Sequence, residues 1–401
     1  MKRLLALFLL IGLPVRAQLP EPADPTAFAL ALHRATATGG NVMSSPYSAR
    51  QVLGMAYAGA AGATRAEMAK ALRAGADFLE DEKRLRERLS RPDDSTLEIA
   101  NAMFLKQGYA FLPSFLDTVE SAFDAKIFVR EFGDAALAEV NEWAKKRTHG
   151  RIPGILDSLK PNDRAVLLNA VYFKGKWAKA FPKQKTRGDR RGGLDPGGPY
   201  PVSFQPSAGK AFPLKLMSRE GSIEHHQQPG FSAVRLPYRG RLRFIAVLPD
   251  KDSSIAALRA SLNSGEWARM RDSLEKAYGL VAIPKFKFEA SMDLNKPLVS
   301  MGMGLAFDRE KADFSRMSRP KSKADELFIS RALQKTFVEL DEEGTTAAVV
   351  TSAIIAVRGS GGPRKPPFEF IADRPFLFAI EDGETGAILF IGEVHDPRKR
   401  G

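Results

Sequence analysis

No cysteine occurs among the 401 residues, which removes disulfides, metal thiolates, a thiol nucleophile and a lipidated cysteine together. Stability must then come from packing. Histidine is scarce: His33, His149, His225, His226 and His395 are the five. No His-Glu-x-x-His occurs, and His225-His226 has no carboxylate or histidine at metal spacing, so no metal site is expected. No serine stands in a Gly-x-Ser-x-Gly elbow. Gly302-Met303-Gly304 lacks the Lys-Ser/Thr and the preceding strand of a phosphate loop. An enzyme is therefore not expected, nor a cofactor. No later apolar run reaches the ~18 residues of a membrane helix.

One further absence is local. Between Glu343 and Arg358 there is no charged side chain and no proline, only small, hydroxyl-bearing and β-branched residues, before the chain passes into Gly-Ser-Gly-Gly-Pro. Thr, Val and Ile favour a strand, yet this run is about twice a usual strand of ~5–6 residues. Exposed, it is an aggregation hazard. Either it is buried, or the protein uses the hazard.

What is present looks globular, with 44% hydrophobic and 27% charged residues. Lys2 and Arg3, an apolar stretch over 4–13 and the small side chains around Val15-Arg16-Ala17 read as a secretory signal over residues 1–17. An extracellular or periplasmic product starting near Gln18 is expected. Loss of the signal takes away Lys2, Arg3 and Arg16 and no acid, so the formal charge falls from +13 to +10. Basic runs stand at "KKRTHGR" (145–151), "KQKTRGDRR" (183–191) and "PRKR" (397–400). A polyanion such as a heparin-like glycan is one partner they suit. Solvated faces are the plainer reading, since no aromatics interleave for base stacking.

Along the chain, Val52, Met55, Ala56 and Gly59 share a helix face, and Thr64 with Glu67 three residues on predicts a capping box. Residues 97–105 and 165–177 read as long buried strands, the second covered on both faces. Helices are predicted after Pro113, with Phe115, Leu116, Val119 and Phe123, and from Asp134, with Leu137, Val140 and Ala144 inward and basic residues at the far end. Residues 183–210 are rich in Gly and Pro and read as an exposed, mobile insertion. Strands follow over 233–238, 242–248, 281–288 and 334–340, and a closing hairpin turns at an Asp-Gly. Helices early and strands late predict an α+β unit without repeats.

"NVMSSPYSARQVLGMAYAGAAGATRAEMAKAL" (41–72), "LEIANAMFL" (97–105), "LLNAVYFKGKW" (167–177), "FIAVLPD" (244–250), "IPKFKFE" (283–289), "KTFVELDEEGTTAA" (335–348) and "FIADRPFLFAIEDGETGAILFIGEV" (370–394) follow one another in an order that resembles the serpins. The resemblance covers nearly all of residues 18–401. It implies a single domain with three β-sheets, about nine helices and an exposed reactive-centre loop over about 344–367. It also implies an inhibitor that traps serine proteases, acting as a monomer off the membrane. The protease acylates itself on the loop, which then inserts as a new strand of the large sheet.

On that resemblance the uncharged run is a strand in waiting. Fourteen residues, 345–358, span roughly 46 Å at ~3.3 Å each. Glu342, Glu343, Gly344, Thr345, Thr346, Ala347 and Ala348 form the hinge, with Gly344 free of Cβ restriction. No proline or charge in 345–357 opposes insertion. Thr346 and Val349 depart mildly from the family, which favours an acid and a small residue there. The fourteenth residue after Gly344 is Arg358, so the reactive bond is Arg358–Gly359, suited to a trypsin-like protease. Val357 or Ala356 serves an elastase-like or subtilisin-like enzyme if the register slips. Trp177 matches the top of the large sheet, and Lys285 with Glu342 a pair at the loop's root. Ser45, Ser48 and Asn169 match the central opening region, where Gln334 replaces a common histidine. The competing reading is a serpin-fold binding or chaperone protein that does not inhibit.

Overall fold

The computed structural model describes residues 23–91, 93–160, 163–183, 202–319, 326–344 and 367–399. The signal expected over 1–17 lies outside them. The helices among these residues are α1 (Pro25–Thr36), α2 (Pro46–Gly59), α3 (Gly62–Leu72), α4 (Phe78–Leu89), α5 (Pro113–Phe123), α6 (Asp134–Arg147), α7 (Ile255–Ser261), α8 (Ser264–Asp272) and α9 (Asn295–Ser300). The strands are β1 (Val42–Ser44), β2 (Thr96–Lys106), β3 (Lys126–Arg130), β4 (Ala165–Lys174), β5 (Val202–Phe204), β6 (Phe212–Leu214), β7 (Leu216–Gln228), β8 (Phe231–Pro237), β9 (Leu242–Pro249), β10 (Glu275–Pro284), β11 (Phe286–Asp293), β12 (Ile329–Leu340), β13 (Phe368–Ile371), β14 (Phe376–Asp382) and β15 (Ile388–Val394). They form three sheets, ordered β1-β15-β14-β9-β8-β7-β10-β13, β11-β12-β4-β2-β3 and β5-β6. This is the expected α+β arrangement.

The five-stranded sheet positions the site. In β2 and β4, Ala100, Ala102, Phe104, Val166, Leu168 and Ala170 pack with Ala136, Val140 and Ala144 of α6. The alternate residues Met103, Leu105, Ala165 and Leu167 pack with Ala49, Val52, Leu53 and Ala56 of α2. Side chains alternate across a strand, so one apolar run feeds both layers. β12 runs parallel to β4, from Ile329 opposite Ala165 to Phe337 opposite Tyr172. β11 is antiparallel to β12, and β2 to β4.

Four expectations need correction. Thr64 is not an N-cap: α3 starts at Gly62, and Thr64 Oγ1 accepts from Asp313 N at 3.0 Å while Glu67 Oε2 accepts from Leu305 N at 2.8 Å. Both side chains satisfy distant backbone instead of their own helix. Residues 281–288 are two strands in two sheets, β10 and β11, separated by Lys285 alone. The strand expected over 165–177 ends at Lys174. Of the insertion over 183–210, residues 184–201 lie outside the description, but 202–204 form β5, whose Val202 and Phe204 are buried. Phe204 rests on Phe212 of β6, with ring centroids 5.5 Å apart. These apolar side chains anchor that part of the segment.

Candidate functional site

β12 ends in a tight turn over residues 341–344. Asp341 Oδ1 accepts from Glu343 N at 2.9 Å and from Gly344 N at 3.1 Å, and Asp341 N donates to Gly344 O at 2.9 Å. A carboxylate folded back onto its own following amides is the usual reason for Asp in such turns. Burial pushes the Asp341 carboxyl above its ordinary value, the Glu342 and Glu343 charges add to that, and the two amide bonds oppose it.

The turn is docked on the segment after β4. Trp177 N donates to Glu343 O at 3.0 Å, Phe181 N to Glu342 O at 2.8 Å, and the Trp177 indole Nε1 to Asp341 O at 2.9 Å. Trp177 is buried and stacks on Tyr238, with centroids 4.4 Å apart and planes at 6°. Phe181 and Phe244 meet its ring edge-on, and a rigid aromatic cluster thus aims one polar N–H at the turn.

Two lysines face the turn's acids. Lys285 Nζ, at the junction of β10 and β11, lies 3.0 Å from Glu342 Oε1. Lys183 Nζ lies 2.5 Å from Glu343 Oε1, and that hydrogen bond raises the Lys183 ammonium above its ordinary value. Among the described residues, Glu343 Oε2 is buried without a hydrogen-bond partner. Glu342 and Glu343 of the expected hinge are therefore held, one by each lysine.

Lower in the sheet, Gln334, Asn169 and Asn101 stand side by side in register across β12, β4 and β2. Asn169 Nδ2 donates to Asn101 Oδ1 at 2.9 Å and also to Ser48 Oγ. Gln334 Nε2 donates to Asn169 Oδ1 at 3.2 Å and to Ser45 O at 2.9 Å, while Gln334 Oε1 accepts from Ser45 N at 2.8 Å. Ser45 Oγ donates to Leu389 O at 2.7 Å. The row is buried under α2, so each lost partner costs about 1–3 kcal/mol.

The structure thus brings Ser45, Ser48, Asn169 and Gln334 into one network, and Trp177, Lys285, Glu342, Glu343 and Gly344 into another. Thr345, Thr346, Ala347, Ala348, Ala356, Val357, Arg358 and Gly359 lie outside the described residues. Sequence reasoning missed Asp341, Asn101 and Lys183. Asn101 interrupts an apolar run, and Asp341 stands three residues before a glycine, a turn signal. Lys183 carried no signal beyond its charge. Among the described residues, no group of three or more His, Asp or Glu side chains is placed to hold a metal ion, and no helix is long and apolar enough to cross a membrane.

A family model described as serpin (serine protease inhibitor) matches residues 23–397. Iripin-3 of Ixodes ricinus is 36% identical over 369 residues, 89% of this chain and 89% of that protein. The native state of Tengpin, a thermophilic serpin, superposes with a TM-score of 0.81 at 30% identity and 93% coverage of both chains. Thyroxine-binding globulin in complex with thyroxine gives 0.78 at 26% identity, covering 93% of this chain and 98% of that one.

Proposed function

This chain belongs to the serpin family, and from that premise we propose that it is a secreted, single-domain suicide inhibitor of trypsin-like serine proteases. The family supports the coarser statement directly: a serpin-type protease inhibitor whose partner is a protease.

The observation that carries the finer reading is the parallel seam between β12 and β4 with the hinge turn above it. A chain leaving Gly344 and running back down lies antiparallel to both strands. Insertion therefore replaces one parallel pairing with two antiparallel ones, which are somewhat stronger per residue. The uncharged residues 345–357 suit that buried course. In this reading the protease serine attacks the Arg358 carbonyl, the Gly359 amine leaves, and insertion distorts the acyl-enzyme before water reaches it. Trp177, Lys285 and Lys183 hold the hinge until then, and the Gln334 row sets how readily β12 and β4 part.

The test is incubation with a panel of proteases, read on denaturing gels and by thermal scans. A covalent complex with a trypsin-like enzyme, and a melting temperature raised by tens of degrees in the cleaved protein, are expected. Cleavage without complex, and coincident scans, would favour a binding protein, as thyroxine-binding globulin is of thyroxine. Lys145, Lys146 and Arg147 are exposed at the end of α6, where a polyanion is able to reach them. Salt-sensitive acceleration by a heparin-like polymer checks that reading.

A further inference from the structure

Ser207 is exposed in the connection between β5 and β6, directly after the buried Pro206. Its Oγ lies 2.6 Å from Nδ1 of His395. His395 is buried, with Nε2 2.8 Å from Glu393 Oε2, and Glu393 at the end of β15 is fully buried. His33 Nε2 reaches Glu393 Oε1 at 2.9 Å, and Arg259 Nη1 reaches both oxygens at 2.8 Å. The His395 backbone N–H donates to Asn41 Oδ1 at 2.7 Å. The imidazole is thus fixed from the backbone and from its inner nitrogen, with its outer nitrogen on the hydroxyl of an exposed serine.

The protons follow from the acid. Burial pushes the Glu393 carboxyl up, but hydrogen bonds from His33, His395 and Arg259 outweigh burial and hold it well below its ordinary value. Glu393 is therefore a carboxylate, and a carboxylate only accepts. His395 Nε2 must carry a hydrogen, so in the neutral ring Nδ1 presents its lone pair to Ser207. A hydroxyl in reach of a base, with the base oriented by a third group, is the arrangement of an activated nucleophile.

We propose that Ser207 is a covalent modification site that accepts acyl groups from activated esters, with His395 as its general base and Glu393 orienting that base. Ser207 Oγ attacks the ester carbonyl carbon and the Oγ–C bond forms. The hydroxyl proton passes to His395 Nδ1. The bond to the leaving oxygen breaks, the aryloxide departs with the electron pair, and it takes the proton from His395. The products are acyl-Ser207 and a phenol, with no change of oxidation state.

The probe is p-nitrophenyl acetate on the whole protein, with p-nitrophenolate release followed and the acetylated peptides mapped by mass spectrometry. Acetylation of Ser207 exceeding that of any other exposed serine by about tenfold or more is expected, since a positioned base contributes ~10²–10⁴. Ser207→Ala removes that label and leaves protease-complex formation unchanged. His395→Gln lowers it while the thermal scan reports folding. A second arm is independent of the core: the chain has no cysteine, so Ser207→Cys carries a single thiol. Its alkylation by iodoacetamide at neutral pH is expected to outpace that of Ser203→Cys, because a neighbouring base raises the thiolate fraction. Acetyl groups spread evenly over the exposed serines, or equal alkylation rates for the two thiols, would overturn the assignment.

Discussion

The α-carbon of Gly344 faces the carbonyl oxygen of Gly175 so closely that a Cβ at position 344 would stand 2.2 Å from it. Lys176 Cα and Trp177 N would lie at 2.6 and 2.7 Å, and the Gly344 backbone has φ +128°. Strained backbone costs about 1–3 kcal/mol, and the contacts are with main chain that cannot swing aside. Gly344→Ala is therefore expected to lower the melting temperature of the intact protein by a few degrees in a thermal scan. An unchanged midpoint would show that the turn is not docked on the segment after β4.

Arg358→Ala is expected to abolish the covalent complex with trypsin and to preserve or create one with an elastase-like enzyme. Mass spectrometry of the released C-terminal peptide fixes the register. A peptide beginning at Gly359 agrees with the Arg358–Gly359 bond, and one beginning at Arg358 or Val357 moves it.

In the proposed insertion Thr345 is the first residue to pass between β12 and β4. Thr345→Arg brings an unpaired charge into the sheet, at a cost of several kcal/mol, and the cost falls on the earliest step. Cleavage at position 358 is expected to continue while the complex disappears, so that the inhibitor becomes a substrate. Complex at wild-type yield on a denaturing gel would defeat the insertion mechanism.

Glu381 in β14 is buried, and burial pushes its carboxyl from 4.5 up to about 7 in spite of the Arg235, Arg271 and Arg243 charges. The folded state therefore binds more protons than the unfolded one between these values. The stability this group supplies is present at low pH and is lost as pH rises from 4.5 through 7. Glu381→Gln removes the titration, so it is expected to stabilise the protein near pH 8 by on the order of 1–3 kcal/mol and to change little near pH 5. Denaturant midpoints at the two pH values give the check: an equal shift at both would exclude burial as the cause.

Much of this was legible where one periodicity ruled a segment. Phe115, Val119 and Phe123 gave α5, and the apolar runs around Asn101 and Asn169 gave the two central strands. Residues 281–288 misled because their apolar pattern continues across Lys285 while the sheet membership changes, and no local pattern records which sheet a strand joins. Thr64 and Glu67 had the right spacing for a capping box, but the backbone of Asp313 and Leu305, over two hundred residues away, competed for them and won. Glu342 and Glu343 were legible through the family resemblance, whereas the Trp177 indole bond to Asp341 depends on an aromatic cluster assembled from Tyr238 just after β8, Phe244 of β9 and the segment after β4. The Gly344 contact was legible only as a glycine, because Gly175 meets it through the tertiary fold.

Pairing between β12 and β4 stops at Phe337 opposite Tyr172, although β12 runs on to Leu340 and β4 to Lys174. The seam is therefore already parted at the end where the hinge lies, and under the proposed insertion a strand threading in from there unzips it in one direction. Three residues below the last pair it meets Gln334 opposite Asn169, the rung where side-chain amides bridge the seam as well as backbone. On the proposed insertion, threading past this rung replaces each parallel pair it breaks with two antiparallel ones. On that reading the sheet works as a turnstile, with the amide pair in its middle as a threshold that any inserting chain has to pass.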